Sequence, residues 1–254
     1  MKKYLFFLDI DETLIARGRL PEENIRAIEY ARLLGHAVFI NTGRSPDFIP
    51  KFLFEKIKFD GVAAGSGAYI KLFNDVILSN EIDGDQLVKN AKFIKGTGRQ
   101  AVFEGIRGMA IINPKGKTDY EIIDDPEDFR EKFDLIGVEK IALVGKLSPI
   151  EMSYFSNYYT VLQQPTYAEC SIPGRDKGSS VETIKQIYGG DAVSVAIGDS
   201  INDLPMLSVA DISIAMGNAP EGVKHICDAE TDTAECAGVA KIIYKLIKEG
   251  GLNE

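Results

Sequence analysis

The chain has 254 residues, of which 45% are hydrophobic and 26% charged, as is typical of a globular protein with a substantial core. Its formal net charge of −9, from 29 basic and 38 acidic residues without a block of like charge, argues against a nucleic-acid partner. No apolar run approaches the roughly 18 residues of a membrane span, and Cys170, Cys227 and Cys236 lack zinc-site spacing, so we expect a cytoplasmic protein with free thiols and no membrane partner.

The first predicted strand, Tyr4–Leu8, is wholly apolar and is followed by two aspartates one residue apart, Asp9 and Asp11. Such a run is typical of a strand that is buried on both faces of a parallel sheet. Because residues i and i+2 of an extended chain project to one side, both carboxylates can face the crevice at the carboxyl end of the strand. An Asp-x-Asp sequence also occurs in turns and on charged surfaces, so these residues alone leave a structural role open.

A helix and a second strand are predicted after the two aspartates. Pro21 is tolerated in a first helical turn and Gly35 suits a helix end, so a helix is predicted between them. Ala37–Ile40 is predicted as a buried strand, which completes a right-handed strand–helix–strand unit. The alternation is predicted to continue with a helix over Pro46–Lys56 and a strand over Gly61–Ala64.

The middle of the chain has a different pattern, in which strand-like runs are joined by short connections. This pattern predicts an antiparallel sheet with helices on one face, so residues 82–174 are predicted as an inserted α+β domain. The C-terminal third returns to alternation, with predicted helices and strands over Lys177–Tyr188, Ala192–Ile197, Ile201–Val209, Ile212–Ala215 and Val239–Lys248. Residues 1–81 and 175–254 are therefore predicted to form a discontinuous α/β core with a Rossmann-like, doubly wound parallel sheet.

Polar residues cluster at the ends of the predicted core strands and at one helix start. They are Asp9-Ile10-Asp11-Glu12-Thr13, Thr42-Gly43-Arg44, Lys177 and Gly198-Asp199-Ser200-Ile201-Asn202-Asp203. Each group has a structural alternative, as a strand-to-helix turn, a solvated helix residue or a helix cap. Together they supply the nucleophile, acid, cation ligands and phosphate donors that phosphoryl transfer from a monoester needs.

This ordered set resembles the four motifs of the haloacid dehalogenase (HAD) superfamily, specifically those of its Cof-type phosphatases with a large α/β cap. The run Ala215-Met216-Gly217-Asn218-Ala219 also resembles a segment that follows the fourth motif in these enzymes. The resemblance covers the whole chain, and the interval of 135 residues between Thr42 and Lys177 (177 − 42) is where such enzymes carry the cap. The resemblance implies that the inserted α+β domain is a cap domain on a catalytic core.

The resemblance also implies the catalytic and metal-binding residues. A carboxylate is a competent nucleophile at phosphorus, so Asp9 is expected to form an aspartyl-phosphate that water later hydrolyses. Asp11 is expected to protonate the leaving alcohol and then to activate the water. The expected cofactor is Mg²⁺, bound by Asp9, the backbone carbonyl of Asp11, and Asp199. Asp203 is expected to complete the metal site, through a metal-bound water or by supporting the ligands.

The phosphoryl oxygens need hydrogen-bond donors. We expect the hydroxyl of Thr42, the backbone N–H of Gly43, the ammonium of Lys177 and the amide of Asn202 to bind them. Thr13 is expected to have a structural role, with its hydroxyl fixing the turn after the second aspartate. These contacts are most valuable in the transition state, where charge spreads over the equatorial oxygens.

Two residues depart from the family pattern. Glu12 stands where glycine is usual, so the loop backbone there must tolerate a side chain. Ser66 stands where many relatives have an asparagine close to the substrate. We expect hydrolysis of a small phosphorylated metabolite, either a sugar phosphate or a phosphorylated cofactor. The alternatives are a phosphotransferase or mutase that uses the same aspartyl-phosphate, and a catalytically silent binding protein of this fold.

Overall fold

The computed structural model describes residues 2–252 and divides into two compact units. The core unit comprises residues 2–43, 49–77 and 176–252, and the inserted unit comprises residues 44–48 and 78–175. The sequence pattern predicts limits at residues 82 and 174 for the inserted unit and assigns residues 44–48 to the core.

In the described residues, α-helices and β-strands alternate along most of the chain. The strands are β1 (Tyr4–Leu8), β2 (Ala37–Asn41), β3 (Gly61–Ala64), β4 (Tyr69–Leu72), β5 (Asp75–Ser79), β6 (Ala101–Gly105), β7 (Met109–Ile112), β8 (Glu121–Ile122), β9 (Val138–Val144), β10 (Thr160–Gln163), β11 (Tyr167–Ser171), β12 (Val193–Gly198), β13 (Ile212–Ala215) and β14 (Ala229–Glu230). The helices are α1 (Glu22–Leu33), α2 (Lys51–Lys56), α3 (Gly84–Thr97), α4 (Phe129–Ile136), α5 (Pro149–Ser156), α6 (Lys177–Tyr188), α7 (Leu204–Val209), α8 (Glu221–Lys224) and α9 (Gly238–Glu249). None of these helices combines the length and the apolar character that crossing a bilayer requires.

The core sheet has the strand order β14-β13-β12-β1-β2-β3-β4-β5. The strands from β14 to β3 pair in parallel, while β4 pairs with β3 in antiparallel fashion. β1 lies in the middle and is buried along its whole length, because its apolar side chains cover both faces of the sheet. The chain leaves β1 toward β2 on one side and returns to β12 on the other, which confirms the predicted doubly wound core.

Between residues 46 and 79, two features differ from the sequence-based expectation. The helix predicted over Pro46–Lys56 is divided into a 3₁₀ turn, Pro46–Phe48, and helix α2. Pro50 causes this break, because proline lacks an N–H and disfavours helical backbone at the residue before it. The pair β4 and β5 was not predicted, since both strands are short and β5 exposes most of its residues.

The inserted unit is a six-stranded sheet in the order β10-β11-β9-β6-β7-β8. Its neighbouring strands are antiparallel, as expected, except that the two-residue β8 pairs in parallel with β7. Helices α3, α4 and α5 contribute to one apolar core with the sheet. Phe103 of β6 packs against Phe129 of α4 with ring centroids 4.6 Å apart. The predicted α+β insertion therefore has its own hydrophobic core.

A tight approach in the core unit gives a first testable expectation. Gly67 has a φ of +88°, and a Cβ at this position would lie 2.2 Å from the backbone oxygen of Asp176. Gly67→Ala is expected to lower the free energy of unfolding by about 2 kcal/mol or more, measured by urea denaturation. Gly222→Ala is the control, because no atom lies within 4 Å of the Cβ position at residue 222. The free energy of unfolding of this variant is expected to rise by about 0.5 kcal/mol.

A second expectation concerns an ion pair of the inserted unit. Arg99 Nε lies 2.5 Å from Glu151 Oε1, and Glu151 also completes a capping box with Ser148 at the start of α5. The hydrogen bond from Arg99 is the main reason why the pKa of Glu151 falls to about 2. A depressed carboxyl pKa contributes stability that is complete above the unfolded pKa and is lost as pH falls through the folded pKa.

Glu151→Gln is therefore expected to lower the free energy of unfolding by about 2 kcal/mol at pH 7. The difference from the wild type is expected to shrink between about pH 4.5 and pH 2, where the wild-type carboxylate takes up its proton. Chemical denaturation of both proteins at pH 7, 4 and 3 measures this change. A stability difference that does not depend on pH contradicts the expectation.

Candidate active site

The carboxyl ends of three adjacent core strands bring the predicted motifs together. Asp9 follows β1, Thr42 follows β2, and Asp199 follows β12. In the parallel register, Leu8 pairs with both Ile40 and Ile197, so the residues after these strands lie at the same edge of the sheet. β1 is the strand at which the winding direction changes, and this is where crevices form in open α/β sheets.

Lys177 lies at the centre of this edge. Lys177 is the first residue of α6, and only 1% of its surface is exposed. Asp176 and Ser179 cap the start of this helix. Its Nζ donates to Asp9 Oδ1 at 2.7 Å and to Asp203 Oδ1 at 2.6 Å. A weaker bond of 3.3 Å reaches Asn202 Oδ1. Lys177 is therefore not a solvated helix residue, which the sequence alone left open.

The fourth motif folds back on itself around the carboxylate of Asp203. Asp203 Oδ2 accepts hydrogen bonds from the backbone N–H groups of Asp199, at 3.0 Å, and Ser200, at 2.9 Å. A Cβ on Gly198 would lie 2.6 Å from the Asp203 side chain, so only glycine allows this close approach. Asp203 thus uses one oxygen for Lys177 and the other to shape the loop that carries Asp199.

The first motif is tied to the fourth through Thr13. Thr13 is fully buried, and its Oγ1 donates to Asp199 Oδ1 at 3.1 Å. The Leu14 N–H closes the turn on the carbonyl of Asp9 at 3.3 Å. Thr13 is expected to fix the turn after Asp11, and in the structure its hydroxyl orients a carboxylate 186 residues later in the chain. Asp11 is exposed and forms an isolated β-bridge with Ile15.

The second motif, Thr42 and Gly43, brings backbone groups and small side chains close to the fourth motif. Thr42 is buried, and its N–H donates to the carbonyl of Ala63 at 2.9 Å. A Cβ on Gly43 would lie 3.9 Å from Asn202 Nδ2 and 3.4 Å from Ser66 Oγ. Two of the expected phosphate-binding residues, Gly43 and Asn202, are therefore neighbours.

Both departures from the family pattern have left-handed backbone conformations. Glu12 has a φ of +54° and Ser66 a φ of +51°, values that glycine and asparagine adopt more easily. Glu12 Oε1 accepts from the Arg17 N–H at 3.0 Å, and the Glu12 carbonyl accepts from Asn218 Nδ2 at 2.8 Å. The glutamate side chain therefore adds one hydrogen bond within the loop, to the Arg17 N–H, that glycine cannot make.

The electrostatics of the buried cluster favour a cation. Burial raises the pKa of Asp9 to about 7, although Lys177 opposes this shift. Burial, with a contribution from Asp203, raises the pKa of Asp199 to about 6. Burial alone would lower the pKa of Lys177, but Asp9 and Asp203 outweigh it and raise that pKa. The cluster thus holds one ammonium and three carboxylates, which leaves two negative charges uncompensated when all are ionised.

The donor atoms of this cluster suit a hard divalent ion. One carboxylate oxygen from each of Asp9, Asp199 and Asp203 lies within 4.8 Å of the others. Oxygen ligands are those that Mg²⁺ prefers, and a divalent ion matches the uncompensated charge of the cluster. The residues that are present therefore fit the expected cofactor.

The comparisons with known proteins agree with this geometry. A family model for haloacid dehalogenase-like hydrolases matches residues 6–243. The 5-amino-6-(5-phospho-D-ribitylamino)uracil phosphatase YcsE of Bacillus subtilis is 30% identical over 249 residues, with 94% of each chain covered. A phosphoglycolate phosphatase of Nitrosopumilus maritimus is 30% identical over 255 residues, with 97% of each chain covered.

A solved HAD subclass IIB sugar phosphatase superimposes with a TM-score of 0.79 at 25% identity, covering 98% of this chain and 99% of that one. The family model, the two curated phosphatases and this fold similarity all extend across nearly the whole chain. They confirm the resemblance that the four motifs indicated. The chain therefore belongs to the haloacid dehalogenase-like hydrolase family, as a phosphatase of the Cof type.

Proposed function

We propose that the chain hydrolyses phosphate monoesters through an aspartyl-phosphate on Asp9, with Mg²⁺ as cofactor. The observation that carries this proposal is the position of the Asp9 carboxylate. It follows the central strand, accepts a 2.7 Å hydrogen bond from Lys177, and lies in the same oxygen cluster as Asp199 and Asp203. Burial disfavours the charge of this carboxylate, and a perturbed carboxylate at the crevice end of a central strand is typical of a functional group.

In the first step, a carboxylate oxygen of Asp9 attacks phosphorus, and the bond between phosphorus and the ester oxygen breaks. Asp11 gives its proton to the leaving oxygen, so the alcohol departs neutral. Lys177 holds the nucleophile in one orientation through its 2.7 Å bond. Lys177, Asn202, the Thr42 hydroxyl and the Gly43 N–H are proposed to bind the phosphoryl oxygens, on which charge accumulates in the transition state.

In the second step, water attacks the phosphorus of the aspartyl-phosphate. Asp11, now ionised, accepts a proton from this water, and the phosphorus–oxygen bond to Asp9 breaks to release phosphate. Both aspartates return to their starting protonation states. Bound Mg²⁺ would be held by Asp9, Asp199 and the backbone carbonyl of Asp11, with Asp203 acting through a metal-bound water or by supporting these ligands, and it would orient the phosphoryl group and neutralise its charge.

The substrate class is proposed from the relatives. One is named for a phosphorylated ribitylaminouracil, one for phosphoglycolate, and one is described as a sugar phosphatase. These share a small phosphorylated metabolite but differ in the leaving group. We therefore assign the chain a small phosphate monoester and leave the acceptor of the phosphoryl group to experiment, because a sugar hydroxyl in place of water would give a phosphotransferase.

A panel of small phosphate esters, each with Mg²⁺ or with EDTA, tests the proposal. Phosphate release is expected with at least one ester, and chelation is expected to lower the rate by about 100-fold or more. Release that occurs only when a second sugar is added would indicate the phosphotransferase. Absence of turnover on every ester, with or without acceptor, would favour the silent binding protein.

A further inference from the structure

Asn41 is the last residue of β2 and directly precedes Thr42. Its side chain is fully buried, and its Nδ2 donates to the backbone oxygen of Lys177 at 2.8 Å. Because a carbonyl oxygen only accepts, the amide nitrogen must face Lys177, and this fixes the orientation of the side chain. Among the residues that the structure describes, the opposite atom, Asn41 Oδ1, accepts no hydrogen bond.

This arrangement costs stability. A buried amide oxygen that accepts no hydrogen bond from the protein is stabilised less by its surroundings than a paired one. The other residues of β2, in the run from Ala37 to Ile40, are apolar, and an apolar side chain at position 41 would avoid the cost. Departures of this kind from the rule that buried polar groups are paired concentrate at functional sites.

The bond from Asn41 joins two parts of the site that are 136 residues apart in sequence. It links the strand that leads into Thr42 and Gly43 to the backbone of the residue that carries the ammonium. The start of α6 also packs closely against Pro205. A Cβ on Gly178 would lie 2.6 Å from the Pro205 backbone oxygen, so the two backbones are in close contact. A lysine side chain has four flexible carbons, so its ammonium keeps one position only if its backbone does.

We propose that Asn41 is a positioning residue, which holds the backbone of Lys177 so that its ammonium stays between Asp9 and Asp203 during turnover. The proposal rests on the phosphatase function proposed above, and it assigns Asn41 no direct contact with substrate. Asn41 acts through Lys177, so its effect must disappear when that lysine is absent.

Asn41→Leu tests this, because leucine keeps the branched shape of the side chain and has no amide. The variant is expected to lose about 10- to 100-fold in kcat on the best ester of the panel, while it still melts well above the assay temperature. Asn24→Leu is the control. Asn24 is also fully buried, but both ends of its amide are bonded, to the Leu14 carbonyl and the Ala240 N–H. Its replacement is expected to lower the melting temperature and to change kcat by less than about threefold.

A double-mutant cycle identifies the residue through which Asn41 acts. In the Lys177→Met background, Asn41→Leu is expected to cause no further loss of kcat, because the group that it positions has gone. The same relative loss of kcat in both backgrounds would overturn the proposal. Full activity of Asn41→Leu, measured beside an active wild type, would overturn it as well. A wild type without activity on any ester would instead refute the proposed function.

Discussion

Asp9→Asn is expected to lower kcat by about 10⁴-fold or more, because an amide oxygen is a poor nucleophile at phosphorus. The substitution keeps the shape of the side chain and removes a charge that burial already disfavours. The fold is therefore expected to survive, with Lys177 still paired to Asp203 at 2.6 Å. Steady-state kinetics with the best ester, together with a melting curve, measure both effects.

Asp11→Asn is the matched comparison, because it removes the proposed acid and base but leaves the nucleophile. With an activated aryl phosphate, whose leaving group needs little protonation, the first step is expected to proceed faster than the second. Acid-quenched protein is then expected to carry the mass of one phosphoryl group, and Asp9→Asn to carry none. Undiminished turnover by Asp9→Asn would remove the proposed nucleophile.

Lys177→Met is expected to lower kcat/KM by about 10³-fold, since it removes a buried cation from the proposed phosphoryl site. It is also expected to lower the free energy of unfolding of the metal-free protein by about 3 kcal/mol, because Asp9 and Asp203 lose their counter-charge. The site then carries one more negative charge, so the gain in melting temperature on adding Mg²⁺ is expected to exceed that of the wild type.

Lys185→Met is the control for this experiment. Lys185 lies on the same helix, but its ion pair with Asp211, at 2.5 Å, is partly exposed. Such pairs contribute little, so its kinetics and its response to Mg²⁺ are expected to match those of the wild type. An equal response to Mg²⁺ in Lys177→Met and the wild type would contradict the shared-cluster interpretation of Asp9, Asp199 and Asp203.

The core architecture was predictable because its signals are local. The strand Tyr4–Leu8 has apolar side chains on both faces, so both faces must be buried. The alternation of strands and helices then implies a parallel sheet. Local signals were insufficient where neighbours decide the outcome. The pair β4 and β5 is short and partly exposed, and Pro50 divides a segment whose apolar pattern resembled one helix.

The sequence by itself determined the family, the core fold and the order of the four motifs, because these depend on residue type and spacing along the chain. Only the tertiary structure decided which atoms meet. It buried Lys177 between Asp9 and Asp203, directed Thr13 to Asp199, and set Asn41 against a helix start 136 residues away. Such contacts join residues that are far apart in sequence, and their geometry depends on how strands and helices pack, which no local pattern encodes.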